Sequence, residues 1–245
     1  MYKRQRLAKQ KTDFVSNVSH ELRTPLTSIR MFSDLLTEEA RGSKDREYSG
    51  IISREAARLT RLINNLLDFS RLERSDYDFA ETPIDLAHLT RETVETYRFQ
   101  LEADGCQLDY QSPENFRGPV WINGDRDTLS QVLLNLLSNA DKYGSNQDGE
   151  CSEIQVRLLV HEDESKAEWQ VLDRGPGIDR KHSVKIFEKF YRVEDSLSNN
   201  VQGSGLGLAL VQQIVTKHKG KVRCQQRADG GSCFSVTLPI TPESN

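Results

Sequence analysis

The sequence predicts a multidomain chain, α and then α+β in class. A helical hairpin that pairs with a second copy into a four-helix bundle precedes an α/β sandwich. Three observations lead there. Val15, Val18, Leu22, Pro25, Ile29, Phe32 and Leu36 recur at alternating steps of three and four residues, the spacing of a bundle seam. Ile52, Ala56, Leu59, Ile63 and Leu66 form a second stripe, flanked by Leu62 and Phe69. From about Asp76 the pattern turns to short β-like runs alternating with helical stretches, as in a sheet with helices laid over it.

In chain order, the first helix carries the seam and is expected to kink at Pro25, which lacks a backbone donor. His20 lies two residues beyond Val18 and five before Pro25, which points it away from the seam. Residues 41–44 (Arg-Gly-Ser-Lys) read as a turn, with Gly42 stopping the helix. The second helix completes a hairpin whose stripes stay half covered alone, so a homodimer is the physical expectation. The pattern change predicts a helical hairpin over residues 1–75 and a second domain over 76–245. Within the latter, strands are predicted over 107–111, 120–123, 153–160, 168–172, 222–226 and 232–238. Helices are predicted over 85–103, 126–142 and 205–219.

Composition narrows the function. A charged fraction of 29% and a mean hydropathy of −0.63 suit a soluble, helix-rich protein. No apolar run approaches the roughly 18–20 residues that cross a bilayer, and the start lacks the apolar core of a secretory signal. The net charge of −4 makes no case for nucleic acid. Lys3, Arg4, Arg6, Lys9 and Lys11 precede the first acid, Asp13. They suit either a solvated helix face or the cytoplasmic flank of a membrane span lying before residue 1. Cys106, Cys151, Cys224 and Cys233 have no CxxC spacing, so reduced thiols in a cytoplasmic compartment are expected. His88, His161, His182 and His218 have no metal-like grouping and read as surface or packing residues.

Four groups of residues carry chemistry. Residues 19–26 (Ser-His-Glu-Leu-Arg-Thr-Pro-Leu) place a nucleophilic imidazole, His20, beside an acid, Glu21. The hydroxyl of Thr24 follows one turn later on the same face. Asn135, Asn139 and Lys142 form one stripe on a leucine-dense helix. Amides there cost free energy unless satisfied, either by neighbouring backbone or by a ligand; Mg²⁺ accepts amide oxygens, and lysine meets phosphate. Residues 173–178 (Asp-Arg-Gly-Pro-Gly-Ile) follow an apolar strand. They form either a common turn or a loop whose carboxylate accepts from an exocyclic amine and whose glycines admit a flat base. Residues 203–208 (Gly-Ser-Gly-Leu-Gly-Leu) open a helix, as a flexible start or as a cradle of N–H groups for phosphates.

Together these motifs resemble the catalytic core of the two-component sensor histidine kinases, over nearly the whole chain. Residues 19–26 resemble the H box, 135–143 the N box, 173–177 the first glycine box, 186–192 the F box and 203–208 the second glycine box, in family order. The resemblance implies a dimerisation and histidine-phosphotransfer hairpin followed by a Bergerat-type ATP-binding sandwich. It further implies an ATP-dependent protein-histidine kinase that phosphorylates His20, with Glu21 as base, and passes the group to an aspartate on a response regulator receiver domain. Asn135 would hold Mg²⁺, with Asn139 and Lys142 near the phosphates of ATP and Tyr143 beside the nucleotide. Asp173, with Gly175 and Gly177, would read the adenine amine. Gly203, Gly205, Leu206 and Gly207 would bound the phosphate end. Arg192 would stabilise charge on the transferring group, and residues 192–203 would form a mobile lid. Phe187 and Phe190 would pack the base of that lid and dock against the helical domain. Thr24 would orient water for dephosphorylating the partner. Two departures from the family pattern stand out. Lys219 replaces a glycine after His218, so the turn there is expected to differ. Residues 230–234 form a partial third glycine motif with Ser232 in the threonine place. Neither is expected to touch a catalytic role.

Overall fold

A computed structural model describes residues 18–19, 22–36, 44–73, 79–103, 106–113, 118–144, 153–189, 191–193 and 205–241. The chain divides into two compact units, Met1–Arg74 with Gln202–Leu206, and Ser75–Val201 with Gly207–Asn245.

In the first unit, helix α1 covers residues 22–36 and α2 spans Asp45–Glu73. The seam residues Leu22, Pro25, Ile29, Phe32 and Leu36 are buried or half-buried. Phe32 meets Tyr48 of α2 with ring centroids 5.5 Å apart, which ties the two helices near the turn. Asp45 and Glu47 sit in the first turn of α2, where negative charge favours the helix dipole. The hairpin leaves Leu26 (53%), Met31 (50%), Ile63 (42%) and Leu67 (48%) exposed. Among the described residues both helices thus keep large apolar side chains exposed, as an interaction face does. Residues 41–43 of the expected turn and the basic residues 3–11 lie outside the described residues.

The second unit opens with β1 (Thr82–Asp85) and α3 (Leu86–Ala103), followed by β2 (Leu108–Gln111), β3 (Trp121–Gly124) and α4 (Arg126–Gly144). Then come β4 (Ile154–His161), β5 (Lys166–Leu172), α5 (Gly207–Lys217), β6 (Lys221–Gln226) and β7 (Ser232–Pro239). Five strands form one sheet in the order β2-β4-β5-β7-β6, with β2 parallel to β4 and the other pairs antiparallel. β1 and β3 form a separate antiparallel pair. β4 and β7 alternate buried and half-buried residues, so one face of the sheet is covered and the other is not. The covered face supplies Val156, Leu158, Trp169, Val171 and Val236 to the core, and the helices supply Leu89, Leu133, Leu137, Leu210 and Ile214. Trp169 donates its indole N–H to the Thr90 hydroxyl at 2.7 Å, and that hydroxyl donates to the Leu86 carbonyl at 2.5 Å. Without a partner the buried indole would cost about 1–3 kcal/mol.

Helix starts are set by side-chain caps. Asp85 accepts from the N–H groups of Ala87 (3.0 Å) and Val120 (3.1 Å), which caps α3 and joins it to the chain entering β3. Asp125 accepts from Thr128 N–H at 3.0 Å and caps α4. α5 begins at Gly207 rather than at 205, because Gly205 stands at φ +65° and cannot open a right-handed helix. β1 has no counterpart among the expected strands: it is four residues long, contains Pro83 and pairs only with β3.

The turn after α5 does not differ as expected. Lys219 adopts φ +59°, the left-handed conformation that glycine takes most easily. Gly220 N–H bonds the Val215 carbonyl at 2.9 Å and Lys219 N–H bonds that of Thr216 at 3.0 Å, so the helix closes as it would with glycine. The expectation of reduced thiols fails at Cys106, which is disulfide-bonded. Cys224 and Cys233 are free thiols. The β6–β7 register sets Cys224 opposite Phe234 and Cys233 opposite Gln225, which turns the two sulfurs to opposite faces.

Candidate functional site

Helix α4 is the spine of the site. Leu129, Val132, Leu133, Leu136, Leu137 and Ala140 bury its apolar face, which leaves the Asn135–Asn139–Lys142 stripe beside the core. Asn135 is itself buried, and its Nδ2 donates to the Gln131 carbonyl at 3.0 Å. That bond satisfies the amide nitrogen within the helix and turns the oxygen away from it. Oδ1 stands 3.2 Å from where a Cβ on Gly207 would lie. Gly207 opens α5, whose first N–H groups have no partners inside their own helix. A metal-competent amide oxygen and the positive end of a helix dipole therefore meet at one place. Asn139 is half-buried, and Lys142 is exposed at the end of α4.

The last turn of α4 brings its other end against the loop that follows β5. A side chain on Gly175 would overlap the Tyr143 carbonyl oxygen, so glycine there lets the loop lie against the helix end. Gly177 stands at φ +78°, 3.0 Å (from its would-be Cβ) from the Gly231 carbonyl oxygen. Between these contacts lies Asp173, which is buried. Its Oδ1 accepts from Gly175 N–H at 2.9 Å and from Ser232 N–H at 3.0 Å. Both bonds use one oxygen, which leaves Oδ2 as the acceptor for a donor outside the protein. Burial raises the carboxyl pKa above its ordinary value, and the two N–H bonds and the charge of Arg227 oppose that shift. A buried carboxylate with one fixed oxygen suits an amino group on a flat heterocycle.

The hairpin between β6 and β7 meets the loop that follows β5. The partial third glycine motif does touch a predicted site residue: Ser232 exchanges two bonds with Asp173, and a side chain on Gly231 would overlap the Asp173 carbonyl. Arg227 also donates to that carbonyl, at 3.0 Å. The paired glycines were the visible signal for the hairpin, but nothing in their local spacing says which loop it meets.

His218 is a packing residue with both ring nitrogens used. Nδ1 donates to the Ile214 carbonyl at 2.8 Å, and Nε2 accepts from Asp125 N–H at 3.0 Å. Gly124 has no room for a side chain, since its Cβ would stand 2.5 Å from the imidazole Cδ2. His218 thus joins the end of α5 to the start of α4, the two helices that hold Gly207 and Asn135. Burial pushes its pKa below the ordinary value, against the Ile214 bond and the charges of Asp125 and Glu81.

The F-box segment forms a short 3₁₀ turn at Lys185–Phe187, with Phe187 buried edge-on to Phe234 at 6.5 Å. His182 Nδ1 pairs with the Tyr191 hydroxyl at 2.6 Å and holds the far end of that turn. Arg192 and Tyr143 are exposed, and Leu206 is buried. On α1, Thr24 is exposed. His20, Glu21, Phe190 and Gly203 lie outside the described residues, as do residues 194–203 of the expected lid.

Comparison with known proteins agrees with this geometry. Residues 10–75 match the His Kinase A (phospho-acceptor) domain. Residues 124–242 match the histidine kinase-, DNA gyrase B- and HSP90-like ATPase family. The sensor-like histidine kinase ycf26 of Porphyra purpurea is 33% identical over 95% of this chain and 36% of its own length. The sensor histidine kinase WalK of Bacillus subtilis is 31% identical over 98% of this chain and 38% of its own. The chain thus spans little more than a third of either relative. Among solved structures, the mycobacterial sensor histidine kinase MprB is 30% identical, with a TM-score of 0.53, over 66% of this chain and 99% of that one. A complex of histidine kinase ThkA with the response regulator TrrA matches all of this chain and 68% of that one, at a TM-score of 0.68 and 23% identity, which speaks to fold. With a phospho-acceptor hairpin ahead of an ATPase sandwich, the chain belongs to the two-component sensor histidine kinases, as their catalytic core.

Proposed function

We propose that this chain is an ATP-dependent protein-histidine kinase that phosphorylates its own His20 and passes the phosphoryl group to an aspartate of a response regulator receiver domain. The observation that carries the proposal is the pairing of two anchored groups along α4. Asp173, fixed through Oδ1, lies against the Tyr143 end, and Asn135, fixed through Nδ2, meets the start of α5. The first suits the exocyclic amine of adenine and the second a phosphate-bound cation. Asn135 is the residue to hold Mg²⁺ through Oδ1. The ion would neutralise phosphate charge and orient the chain of phosphates. Lys142 and Asn139 face the same stripe, and Arg192 stands where the lid begins, suited to charge on the transferring group. Glu21 draws the proton from one ring nitrogen of His20 while the other attacks the γ-phosphorus, and ADP leaves.

The exposed apolar residues Leu26, Met31, Ile63 and Leu67 support a homodimer, because a second hairpin would cover them. Thr24, exposed on α1 and four residues after His20 in the sequence, supports a phosphatase activity on the phosphorylated regulator. A cytoplasmic location fits the reading, as the cytoplasmic portion of a membrane-anchored kinase. Among the described residues no helix is long and apolar enough to cross a membrane. Incubation of a phosphorylated receiver domain with the protein should release phosphate, and Thr24→Ala should abolish release while sparing autophosphorylation. Unchanged release in the variant would remove the Thr24 assignment without touching the kinase assignment.

A further inference from the structure

We propose that Arg227 is a positioning residue for adenine recognition, acting through Asp173 and clamping the β6–β7 hairpin onto the loop that reads the base. This rests on the reading that Asp173 meets the exocyclic amine.

The side chain of Arg227 is 15% exposed and spends its donors in two directions. Nε and Nη2 form a fork on Asp229, at 3.1 Å to Oδ1 and 2.7 Å to Oδ2. The guanidinium plane is thereby fixed within the hairpin, as a lysine could not fix it. Nη1 then donates to the Asp173 carbonyl at 3.0 Å. Asp229 is held from the other side by Arg174, the residue directly after Asp173. Two links therefore cross between hairpin and loop, from Arg227 to Asp173 and from Asp229 to Arg174.

These links flank the backbone exchange that aims the carboxylate. Asp173 N–H donates to the Ser232 carbonyl at 3.0 Å, and Ser232 N–H returns to Asp173 Oδ1 at 3.0 Å. The hairpin closes on itself through Arg227 N–H and the Gly231 carbonyl at 3.0 Å, with Gly230 at φ +89° and Gly231 at φ +87°. Two left-handed glycines make a pliant turn just before Ser232, which begins β7 opposite Gln226, so the aim of its N–H depends on that pairing and on what the turn docks against. Arg227 is the side chain that docks it. The partners Asp229 and Arg174 are about half exposed, and exposed ion pairs contribute little to stability. The consequence of losing the clamp thus falls on the aim of Asp173 rather than on the fold. The positive charge also favours the ionised carboxylate against its burial.

The test is equilibrium binding of ADP, and of purine riboside diphosphate, which lacks the 6-amino group, to the full chain. Wild type, Arg227→Gln, Arg227→Lys and Asp173→Asn are compared, with thermal melts alongside. Wild type should prefer ADP, and Asp173→Asn should lose that preference. Arg227→Gln should weaken ADP about fivefold, the size of one hydrogen bond, and leave the analogue within about twofold. Arg227→Lys, which keeps the charge without the fork, should fall between. An equal loss for both ligands, or no loss for either, would overturn the proposal while leaving Asp173 in its role. If wild type and Asp173→Asn treat the two ligands alike, the adenine reading itself falls, and the proposal with it.

Discussion

The side-chain oxygen of Asn135 faces Gly207, the first residue of α5, with only 3.2 Å to the point a Cβ would occupy. Alanine at 207 improves helix propensity, by up to about 1 kcal/mol for glycine in a helix interior and less at its first turn. The same methyl group crowds the amide oxygen assigned to the cation. Gly207→Ala is therefore expected to melt at the same temperature as wild type or slightly higher, yet to bind ADP with Mg²⁺ more weakly. Melting curves and nucleotide titrations on one preparation read both effects, and parallel losses would instead indicate a packing defect.

Asp173 is expected to cost stability at neutral pH. An acid whose pKa is raised in the folded state contributes stability that is complete below its unfolded value and is lost as pH rises through the folded value. Asp173→Asn keeps an oxygen for the Gly175 and Ser232 N–H groups and removes the charge. It should raise the melting temperature at pH 7, with the gain fading in acid below the ordinary carboxyl range. ADP binding should weaken to the level of the analogue that lacks the 6-amino group. Urea unfolding between pH 3 and 8 traces the difference.

His218 should give the opposite pH dependence. Its folded-state pKa is depressed by burial, so its contribution is present above the ordinary imidazole value and lost as pH falls below it. Protonation removes the acceptor for Asp125 N–H and places a charge beside Phe79, whose ring lies 4.7 Å away with Lys217 over it. The wild type should lose stability as the pH falls below the ordinary imidazole value of about 6.5. His218→Gln should be about 1 kcal/mol less stable at pH 7.5 and flatter across that window. Identical slopes would assign the acid transition to other groups.

Lys219→Gly should stabilise the protein by about 1 kcal/mol, because the left-handed turn it occupies already has the hydrogen bonds of a glycine-closed helix end. A loss of stability in urea unfolding would mean that the lysine side chain contributes more than its backbone costs.

The features legible in the sequence are those with local periodicity. The α4 stripe, the leucine face beneath it and the alternation of β4 and β7 follow from spacing alone, and their bounds lie within a residue or two of the observed ones. β1 escaped because four residues including a proline carry no period; they are a strand only because Trp121–Gly124 pairs with them. The start of α5 moved because a left-handed Gly205 reads as helix in a pattern of apolar residues. Asp173 and Asn135 were visible as polar residues in apolar settings. Arg227 was not, because its role depends on β6 and β7 folding back onto the end of β5, a contact between distant segments.

ATP is expected to load His20. Incubation of the protein with γ-labelled ATP and Mg²⁺ should yield a phosphoprotein that is labile in acid and stable in alkali, absent in His20→Gln and strongly reduced in Asn135→Ala. Label that survives acid, or that persists in His20→Gln, would contradict the account.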